Sequence, residues 1–392
     1  MTLEVRAGIE ADDGPILALR RQAFNAIEVP SGLPPSRLEG FRVLVEDGRV
    51  VAVLRSQRVG QFFGGATVPM AAVSSVAVAP EARGRGLVQH LLRETLAEQR
   101  SAGLPLSVLY PSTVPTYRRA GYELAGMRLR FRAPARDAPA TPGINVEPWH
   151  DDLLADVMDC YGRFAVTQNG LIDRPPDWWT DRVVATHKNP VHRYMARGAE
   201  GAIEGYIVFR QEPVGGALPY YHTISCRDLV WTAAAGARAM LSLVSAHRAL
   251  ATDLLWYGPP NDPIAQLFAE AVTRPDWSMP WMARLLDPAA ALAARGYPAG
   301  TDECVELQIE DRVLGVNTRA FRLEVEGRRG RVTPLDGARL KVGVATLAAI
   351  YTGWLAPADA LRLGRLDAKE PSAVSALERI FAGSLPWMIE MF

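Results

Sequence analysis

A buried strand, a glycine-rich turn, an amphipathic helix and a second buried strand follow one another within residues 70–110, and this order constrains the fold most strongly. The first strand spans residues 70–78, and Pro80 follows two residues after its end. The helix has apolar residues at helical spacing, namely Val88, Leu91, Leu92 and Leu96. A strand–helix–strand unit predicts two parallel strands joined by a right-handed crossover. The chain is therefore expected to begin with an α/β domain.

The turn between the first strand and the helix combines positive charge with a flexible backbone. It reads Arg83-Gly84-Arg85-Gly86 and leads directly into the helix. Glycines let the backbone approach a ligand closely, and the unpaired N–H groups at a helix start attract anions. Because two arginines add formal charge, the turn predicts a pyrophosphate site, with a solvated surface turn as the alternative. Neither the Gly-x-x-x-x-Gly-Lys-Ser/Thr nor the Gly-x-Gly-x-x-Gly nucleotide motif fits this segment.

Two further units follow the first one, which spans residues 1–135. A segment rich in proline and alanine, residues 133–143, predicts a linker. Residues 146–287 repeat the strand–helix–strand order without the arginine-flanked glycines, which indicates a second domain of similar fold that lacks the phosphate site. Residues 288–392 contain two alternating strands followed by two helical stretches, which is typical of an α+β domain.

Charge and cysteine content exclude several classes of protein. The 392 residues include 43 basic and 43 acidic ones, and this balance argues against an extended nucleic-acid-binding surface. The three cysteines are far apart and the six histidines lack metal-ligand spacing, so no metal is expected. No apolar run reaches the roughly 18 residues of a membrane span, and the charged N-terminus has no signal-peptide core. A cytoplasmic protein is predicted, with release from the cell without a signal peptide as the alternative.

The segment from the turn to the following strand resembles the GNAT family of N-acetyltransferases. In that family an Arg/Gln-x-x-Gly-x-Gly/Ala turn binds the pyrophosphate of acetyl-CoA, and Arg83, Gly86 and Val88 occupy its three fixed positions. Val88 departs from the family's final Gly/Ala. Further along, Tyr117 precedes a Gly-Tyr pair, as a tyrosine does in the family's second motif.

The GNAT resemblance implies acetyl-CoA as co-substrate and assigns the residues that bind it. They lie on the first strand, in the turn, at the helix start and after the second strand: Val76, Ala77, Val78, Arg83, Gly84, Arg85, Gly86, Leu87, Val88, Gln89, Ser112 and Thr113. Tyr117 is implied as the general acid, because a phenol of pKa about 10 can protonate a departing thiolate whose thiol has a pKa of about 8.5. Packing is its alternative role, and Tyr110 and Tyr122 compete for the assignment.

The whole chain resembles the enhanced intracellular survival (Eis) family of GNAT N-acetyltransferases. The resemblance rests on the order of the three units, on residues 281–297 and on the apolar C-terminus at residues 387–392. It implies an α/β plus α+β fold, with tandem GNAT-fold domains of mixed sheet flanked by helices, followed by a sterol-carrier-protein-like domain. The expected domains are a catalytic one at 1–135, a degenerate GNAT-like one at 146–287 and a third at 288–392 whose C-terminus enters the active site.

The Eis resemblance also implies that the terminal carboxylate of Phe392 is the general base. A terminus carrying Trp387, Ile389 and Phe392 is expected to be buried rather than frayed, and a carboxylate drawn from water with it has a raised pKa. Glu390 and Glu28 are the competing bases. Simple docking of the apolar C-terminus on the core is the alternative.

Aminoglycosides and other multi-amine compounds are the substrates that the resemblance implies, with lysine side chains of a protein partner as an alternative. The family's pocket is lined by aromatic and acidic groups, which suits a polycation. The corresponding candidates in this chain are Phe24, Glu28, Trp281, Glu390 and Met391. A homohexamer is carried over from the family. A non-enzymatic lipid carrier, with an apolar tunnel inside residues 300–392, is the alternative functional class.

Overall fold

Two β-sheets organise the protein in a computed structural model, which describes residues 2–25, 38–185, 190–215, 218 and 220–392. Within these residues the larger sheet has thirteen strands. They are β1 Leu3–Ala7, β2 Phe41–Glu46, β3 Arg49–Phe63, β4 Ala66–Val78, β5 Leu106–Leu109, β6 Glu123–Pro134, β7 Glu147–Pro148, β8 Ile172–Asp173, β9 His192–Arg197, β10 Ile203–Pro213, β11 His222–Trp231, β12 Ala251–Tyr257 and β13 Arg274–Leu285. The smaller sheet has five: β14 Glu303–Glu310, β15 Ala320–Glu326, β16 Arg329–Leu335, β17 Leu340–Gly343 and β18 Leu366–Asp367.

Helices flank both sheets. In the described part of the chain they are α1 Asp13–Phe24, α2 Leu87–Ser101, α3 Val114–Arg119, α4 Leu154–Ala165, α5 Pro176–Trp178, α6 Ala234–Ala246, α7 Pro288–Ala294, α8 Val344–Thr352, α9 Pro357–Arg362 and α10 Pro371–Ile380. A π-helical turn, Trp179–Val184, continues α5. None of the described helices has the length and apolar character needed to cross a membrane.

The first strand–turn–helix–strand unit folds as predicted. β4 and β5 are parallel, α2 connects them, and the last pair in their ladder is Val73 opposite Leu109. β4 nevertheless continues to Val78, and Ser75 adopts a positive φ of 53° just beyond the last pair. Among the described strands, the final part of β4 therefore has an open edge on the side of β5.

The large sheet joins the first two units by an exchange of strands. β13, which belongs to the second unit by sequence, lies between β5 and β6 of the first unit and is antiparallel to both. β6 in turn pairs with β12 of the second unit. Trp281 of β13 is fully buried at this junction, where a Cβ on Gly126 of β6 would lie 2.3 Å from its ring. Trp281 is therefore a core residue, and substrate contact does not fit its position.

The second unit repeats the parallel crossover. β11 and β12 are parallel, with Ile224 opposite Leu254, and α6 connects them, as predicted from the sequence. The linker starts later than predicted, because β6 extends to Pro134 and pairs there with Asp253 of β12. Local patterning thus located the elements, whereas sheet pairing shifted the start of the linker.

The third unit packs its helices on the smaller sheet and shares a core with the first unit. Its interior is filled by large buried side chains, including Leu307, Leu347, Tyr351 and Phe381, where the lipid-carrier alternative expects an apolar tunnel. A fully buried ion pair joins Arg284 of β13 to Asp311, which follows β14, with 2.6 Å between nitrogen and oxygen.

The C-terminal segment leaves the third unit and is inserted between the other two. The backbone N–H groups of Met388 and Trp387 donate to the carbonyls of Met127 at 3.1 Å and Asn169 at 3.0 Å. Met127 belongs to the first unit and Asn169 to the second. Trp387, Met388 and Ile389 are buried, which confirms the prediction that the apolar terminus is not frayed.

Candidate active site

The predicted pyrophosphate turn lies on the surface at the N-terminus of α2. Gly84 and Gly86 both have a φ of 77°, in the left-handed region that favours glycine, and a Cβ at either would meet no atom within 4 Å. The glycines are therefore required for backbone conformation rather than for space. The first helical N–H groups, at Leu87 and Val88, have no acceptor within the helix and suit an anion.

The two arginines of the turn differ in their surroundings. Arg83 is exposed, and its Nε donates to the carbonyl of Val78 at 3.3 Å. Arg85 is ion-paired with Glu46 of β2, with 2.9 Å between Nη1 and Oε2. Arg85 would have to share its charge between this carboxylate and a phosphate, so Arg83 is the better placed of the two for a coenzyme.

The end of β4 offers backbone groups to an extended ligand. Val76, Ala77 and Val78 lie beyond the last pair with β5, while on the other side Ala77 is opposite Val53 of β3. An extended chain can add to such an edge through main-chain hydrogen bonds. A short helical turn, Pro80–Ala82, separates Val78 from the predicted pyrophosphate turn, so the open edge lies close to that turn in the sequence.

Tyr117 is held at the start of the second motif by packing from several elements. It lies on α3, is 4% exposed, and its ring packs edge-to-face on Tyr122 with 6.1 Å between centroids. Burial raises the pKa of Tyr117, and its hydrogen bond with Ser112 opposes this shift. Gln89 of α2 donates to the carbonyl of Thr116 at 2.8 Å, which fixes α3 against the helix of the pyrophosphate turn. The phenol therefore stays protonated at neutral pH.

The competing tyrosines have other partners. The Tyr122 hydroxyl is hydrogen-bonded to Ser107 Oγ at 2.8 Å in the buried interior. The Tyr110 hydroxyl donates to the main-chain carbonyl of Glu390 at 2.7 Å. Tyr117 is thus the better candidate for a general acid. Thr113, the remaining predicted coenzyme residue, immediately precedes α3 in an extended conformation.

The C-terminal residues are fixed by hydrogen bonds to three consecutive carbonyls. Arg128 donates to Ile389 at 2.6 Å, Tyr110 to Glu390 at 2.7 Å, and Arg182 to Met391 at 2.7 Å. The ring of Phe392 packs on Tyr110 and Trp178, with centroids 5.7 Å and 6.3 Å apart. Because these bonds come from both GNAT-like units, the terminal carboxylate has a defined position between them.

Glu390 is part of a buried ionic cluster that sequence reasoning did not find. Its Oε1 lies 2.5 Å from Arg174, whose other nitrogens lie 2.6 Å and 2.8 Å from the carboxylate of Asp228. Burial alone would lower the pKa of Arg174, but the charges of Asp228 and Glu390 raise it above its ordinary value. The Arg174 guanidinium also lies 3.9 Å from the ring of Tyr161. Glu390 therefore positions the terminus and is poorly suited to be the base.

The remaining predicted substrate residues are dispersed. Met391 lines the cleft beside the terminus and is 52% exposed. Phe24, at the end of α1, is exposed and does not line that cleft. Trp281 is in the core, as shown above, and Glu28 lies outside the described residues. Only the residues at the C-terminus are thus brought to the cleft.

The cleft at the C-terminus has a volume of about 570 Å³ and is rich in arginine. The first unit contributes Arg20, Arg55, Arg128 and Arg130. The second contributes Arg174, Arg182, Arg210 and Arg227. Against these eight arginines stand three acidic side chains, Glu212, Asp228 and Glu390, together with the terminal carboxylate. The expected acidic lining is therefore wrong for the residues that the structure describes.

Comparisons with known proteins agree with this architecture. Residues 10–125 and 170–285 each match the family model of an acetyltransferase (GNAT) domain, and residues 288–389 match that of a sterol carrier protein domain. A Streptomyces griseus protein named as an uncharacterized N-acetyltransferase is 28% identical over 386 residues, which cover 92% of this chain and 91% of that protein. The N-acetyltransferase Eis of Mycobacterium tuberculosis is 26% identical over 343 residues, covering 82% of this chain and 80% of Eis.

Solved structures show the same fold over the full length. The crystal structure of a GCN5-related N-acetyltransferase from Anabaena variabilis matches with a TM-score of 0.91 and 28% identity, covering all of both chains. Eis1 from Mycobacterium abscessus matches with a TM-score of 0.81 and 23% identity, again over both whole chains. This chain is an N-acetyltransferase of the GNAT type that is similar to Eis, with two GNAT domains followed by a sterol-carrier-like domain.

Proposed function

We propose that the protein transfers the acetyl group of acetyl-CoA to a primary amine bound in the arginine-lined cleft. Tyr117 acts as the general acid and the terminal carboxylate of Phe392 as the general base. The observation that supports this most is the position of the terminus, which three hydrogen bonds to consecutive carbonyls hold in the cleft.

Acetyl-CoA is the co-substrate that GNAT acetyltransferases use, and the described residues suit its parts. The pyrophosphate would accept hydrogen bonds from the N–H groups at the start of α2, including those of Leu87 and Val88. It would also pair with the positive charge of Arg83. Pantetheine would pair with the open edge of β4 at Val76–Val78. The side chain of Val88 is no obstacle, because it packs against the core of the first domain and leaves the helix N–H groups exposed.

The Tyr117 hydroxyl and the Phe392 carboxylate would carry out the two proton transfers of the reaction. The amine nitrogen attacks the thioester carbonyl carbon, and collapse of the tetrahedral intermediate breaks the carbon–sulfur bond. The amine proton passes to the Phe392 carboxylate, and the thiolate of CoA takes the proton of the Tyr117 hydroxyl. Proton transfer from an ordinary phenol of pKa about 10 to the thiolate of a thiol of pKa about 8.5 is uphill, and burial, which raises the pKa of Tyr117, makes it more so. Cleavage of the thioester therefore has to drive this transfer.

Aminoglycosides, and lysine side chains of a protein partner, stay predictions from the family resemblance. A polycation needs a negatively charged wall, and the eight arginines of the cleft do not favour it. The homohexamer and the cytoplasmic location also stay predictions.

Release of free thiol from acetyl-CoA in the presence of primary amines tests the proposed reaction. Tyr117→Phe should lower kcat about 10²-fold or more with an unchanged KM for acetyl-CoA, because only proton donation is lost. Tyr220→Phe is the matched control, since Tyr220 is 55% exposed and lies outside the cleft. A Tyr117→Phe enzyme with the kcat of the wild type would contradict the assignment of the acid.

A further inference from the structure

Among the residues that the structure describes, no carboxylate balances the charge of two arginines of the cleft. Within the part of the chain that the structure describes, no ion pair within 4.0 Å is formed by Arg20 of α1 or Arg210 of β10. The Nε of each is buried and has no hydrogen-bond partner among the described groups. One arginine comes from each GNAT domain, so this feature belongs to the cleft between them.

Two more arginines of the cleft form hydrogen bonds with neutral groups alone, as far as the described residues show. Arg227 donates to the carbonyls of Val183 and Ala185 at 2.8 Å and 2.7 Å. Arg128 donates to the carbonyl of Ile389 at 2.6 Å and stacks on the ring of Tyr257. These contacts fix the guanidinium groups but leave their formal charges uncompensated.

Burying guanidinium groups without anions is unfavourable. An unpaired buried donor costs the energy of its desolvation, and burial lowers the pKa of Arg20. In contrast, Arg130 of the same cleft is paired with Asp276, with 2.8 Å from Nε to Oδ2. The fold pairs some arginines of the cleft with a carboxylate and leaves the charge of others unpaired. The guanidinium groups whose charge is unpaired are therefore available to a negatively charged ligand.

We propose that the acceptor is an amine that also carries phosphate or clustered carboxylates. This inference rests on the proposed acetyl transfer, since it concerns the acceptor of the same cleft. The amine lies at the Phe392 carboxylate, and the anionic group accepts charge-assisted hydrogen bonds from Arg20 and Arg210. The hydroxyl groups of Ser74 and Ser75 line the same cleft and can donate to the anion as well.

Matched acceptors that differ only in negative charge test the inference. Glucosamine and glucosamine 6-phosphate form one pair, and the peptides Ala-Asn-Asn and Ala-Asp-Asp form another, with kanamycin as the polycation. We expect kcat/KM to be at least about tenfold higher for the anionic member of one pair or both, and this ratio to fall as salt is added. The responding pair identifies phosphate or carboxylate as the recognised group. Equal or higher values for both neutral members, or for kanamycin, would overturn the inference.

Substitution of the unbalanced arginines locates the effect. Arg20→Gln and Arg210→Gln should each reduce the preference about tenfold by raising KM for the anionic acceptor, with little change in kcat. Arg136→Gln is the control, because Arg136 is 80% exposed in the linker. Preferences unchanged in both variants would contradict the assigned residues.

A binding measurement separates failure of the inference from failure of the proposed reaction. Calorimetry on the full chain with CoA compares glucosamine 6-phosphate with glucosamine. Tighter binding of the phosphate, lost in Arg210→Gln, supports an anion site even if no amine is acetylated. Equal binding of the two sugars overturns the anion site even if amines are acetylated.

Discussion

At the scale of single residues, burial and partners decide which of several similar groups can act in the proposed reaction. Tyr110, Tyr117 and Tyr122 lie within thirteen residues of one another, yet Tyr122 is bonded to Ser107 and Tyr110 to the backbone of Glu390. Sequence motifs favoured Tyr117 as the candidate acid, but they could not exclude the other two tyrosines. The hydrogen-bond partners of Tyr110 and Tyr122 in the folded protein are what disfavours these two residues.

A buried acid outside the cleft gives a pH-dependent prediction. Asp262 accepts hydrogen bonds from Trp256 Nε1 at 2.7 Å and from the N–H of Ile264 at 3.0 Å, and burial raises its pKa from 3.8 to about 6. The folded state thus holds this proton more tightly than the unfolded state. Its contribution to the free energy of unfolding is complete below about pH 4 and is lost as the pH rises through about 6.

Comparison of the wild type with Asp262→Asn measures this contribution. The free energy of unfolding of the wild type, relative to that of Asp262→Asn, should fall by about 3 kcal/mol as the pH rises from 4 to 7. Urea denaturation at several pH values provides the measurement. Asp302→Asn is the comparison variant, because it makes the same substitution at an exposed position. A flat difference for Asp262→Asn would contradict the raised pKa.

At the scale of elements, local patterns predicted most strands and helices but not how the strands are ordered. The crossovers at β4–α2–β5 and β11–α6–β12 follow from apolar periodicity and turn residues, which are local. The insertion of β13 between β5 and β6 joins residues more than 140 positions apart, and no local pattern specifies such a partner. The role of Trp281 was misjudged for this reason.

The turn before α2 provides a prediction at this scale. Gly86→Ala should raise KM for acetyl-CoA several-fold and lower stability by about 1 kcal/mol, because alanine is strained at a φ of 77°. Activity assays and urea denaturation measure the two effects. Gly315→Ala is the control, since a Cβ at Gly315 meets no atom within 4 Å and the glycine is not in the left-handed region. An unchanged KM in Gly86→Ala would argue against coenzyme binding at this turn.

At the scale of the whole molecule, the proposed site would be assembled from three parts of the chain. The first domain would supply Tyr117 and the third Phe392, while Arg174 and Asp228 of the second domain hold Glu390 near the terminus. The balanced charge of the full sequence concealed the local excess of arginine in the cleft. The sequence contained one local indication of this excess, since arginines alternate with apolar residues at 128–132 of β6. The other arginines are scattered between positions 20 and 227, so only the fold brings them together.

Amidation of Phe392 tests directly whether the terminal carboxylate takes the proton of the attacking amine. A C-terminal amide made by chemical ligation keeps the side chain and the hydrogen bonds to Ile389, Glu390 and Met391, and removes only the negative charge. We expect the single-turnover rate of acetyl transfer to fall about 10²-fold or more, with unchanged binding of acetyl-CoA. Transfer by the amidated protein at the rate of the unmodified one would contradict the account.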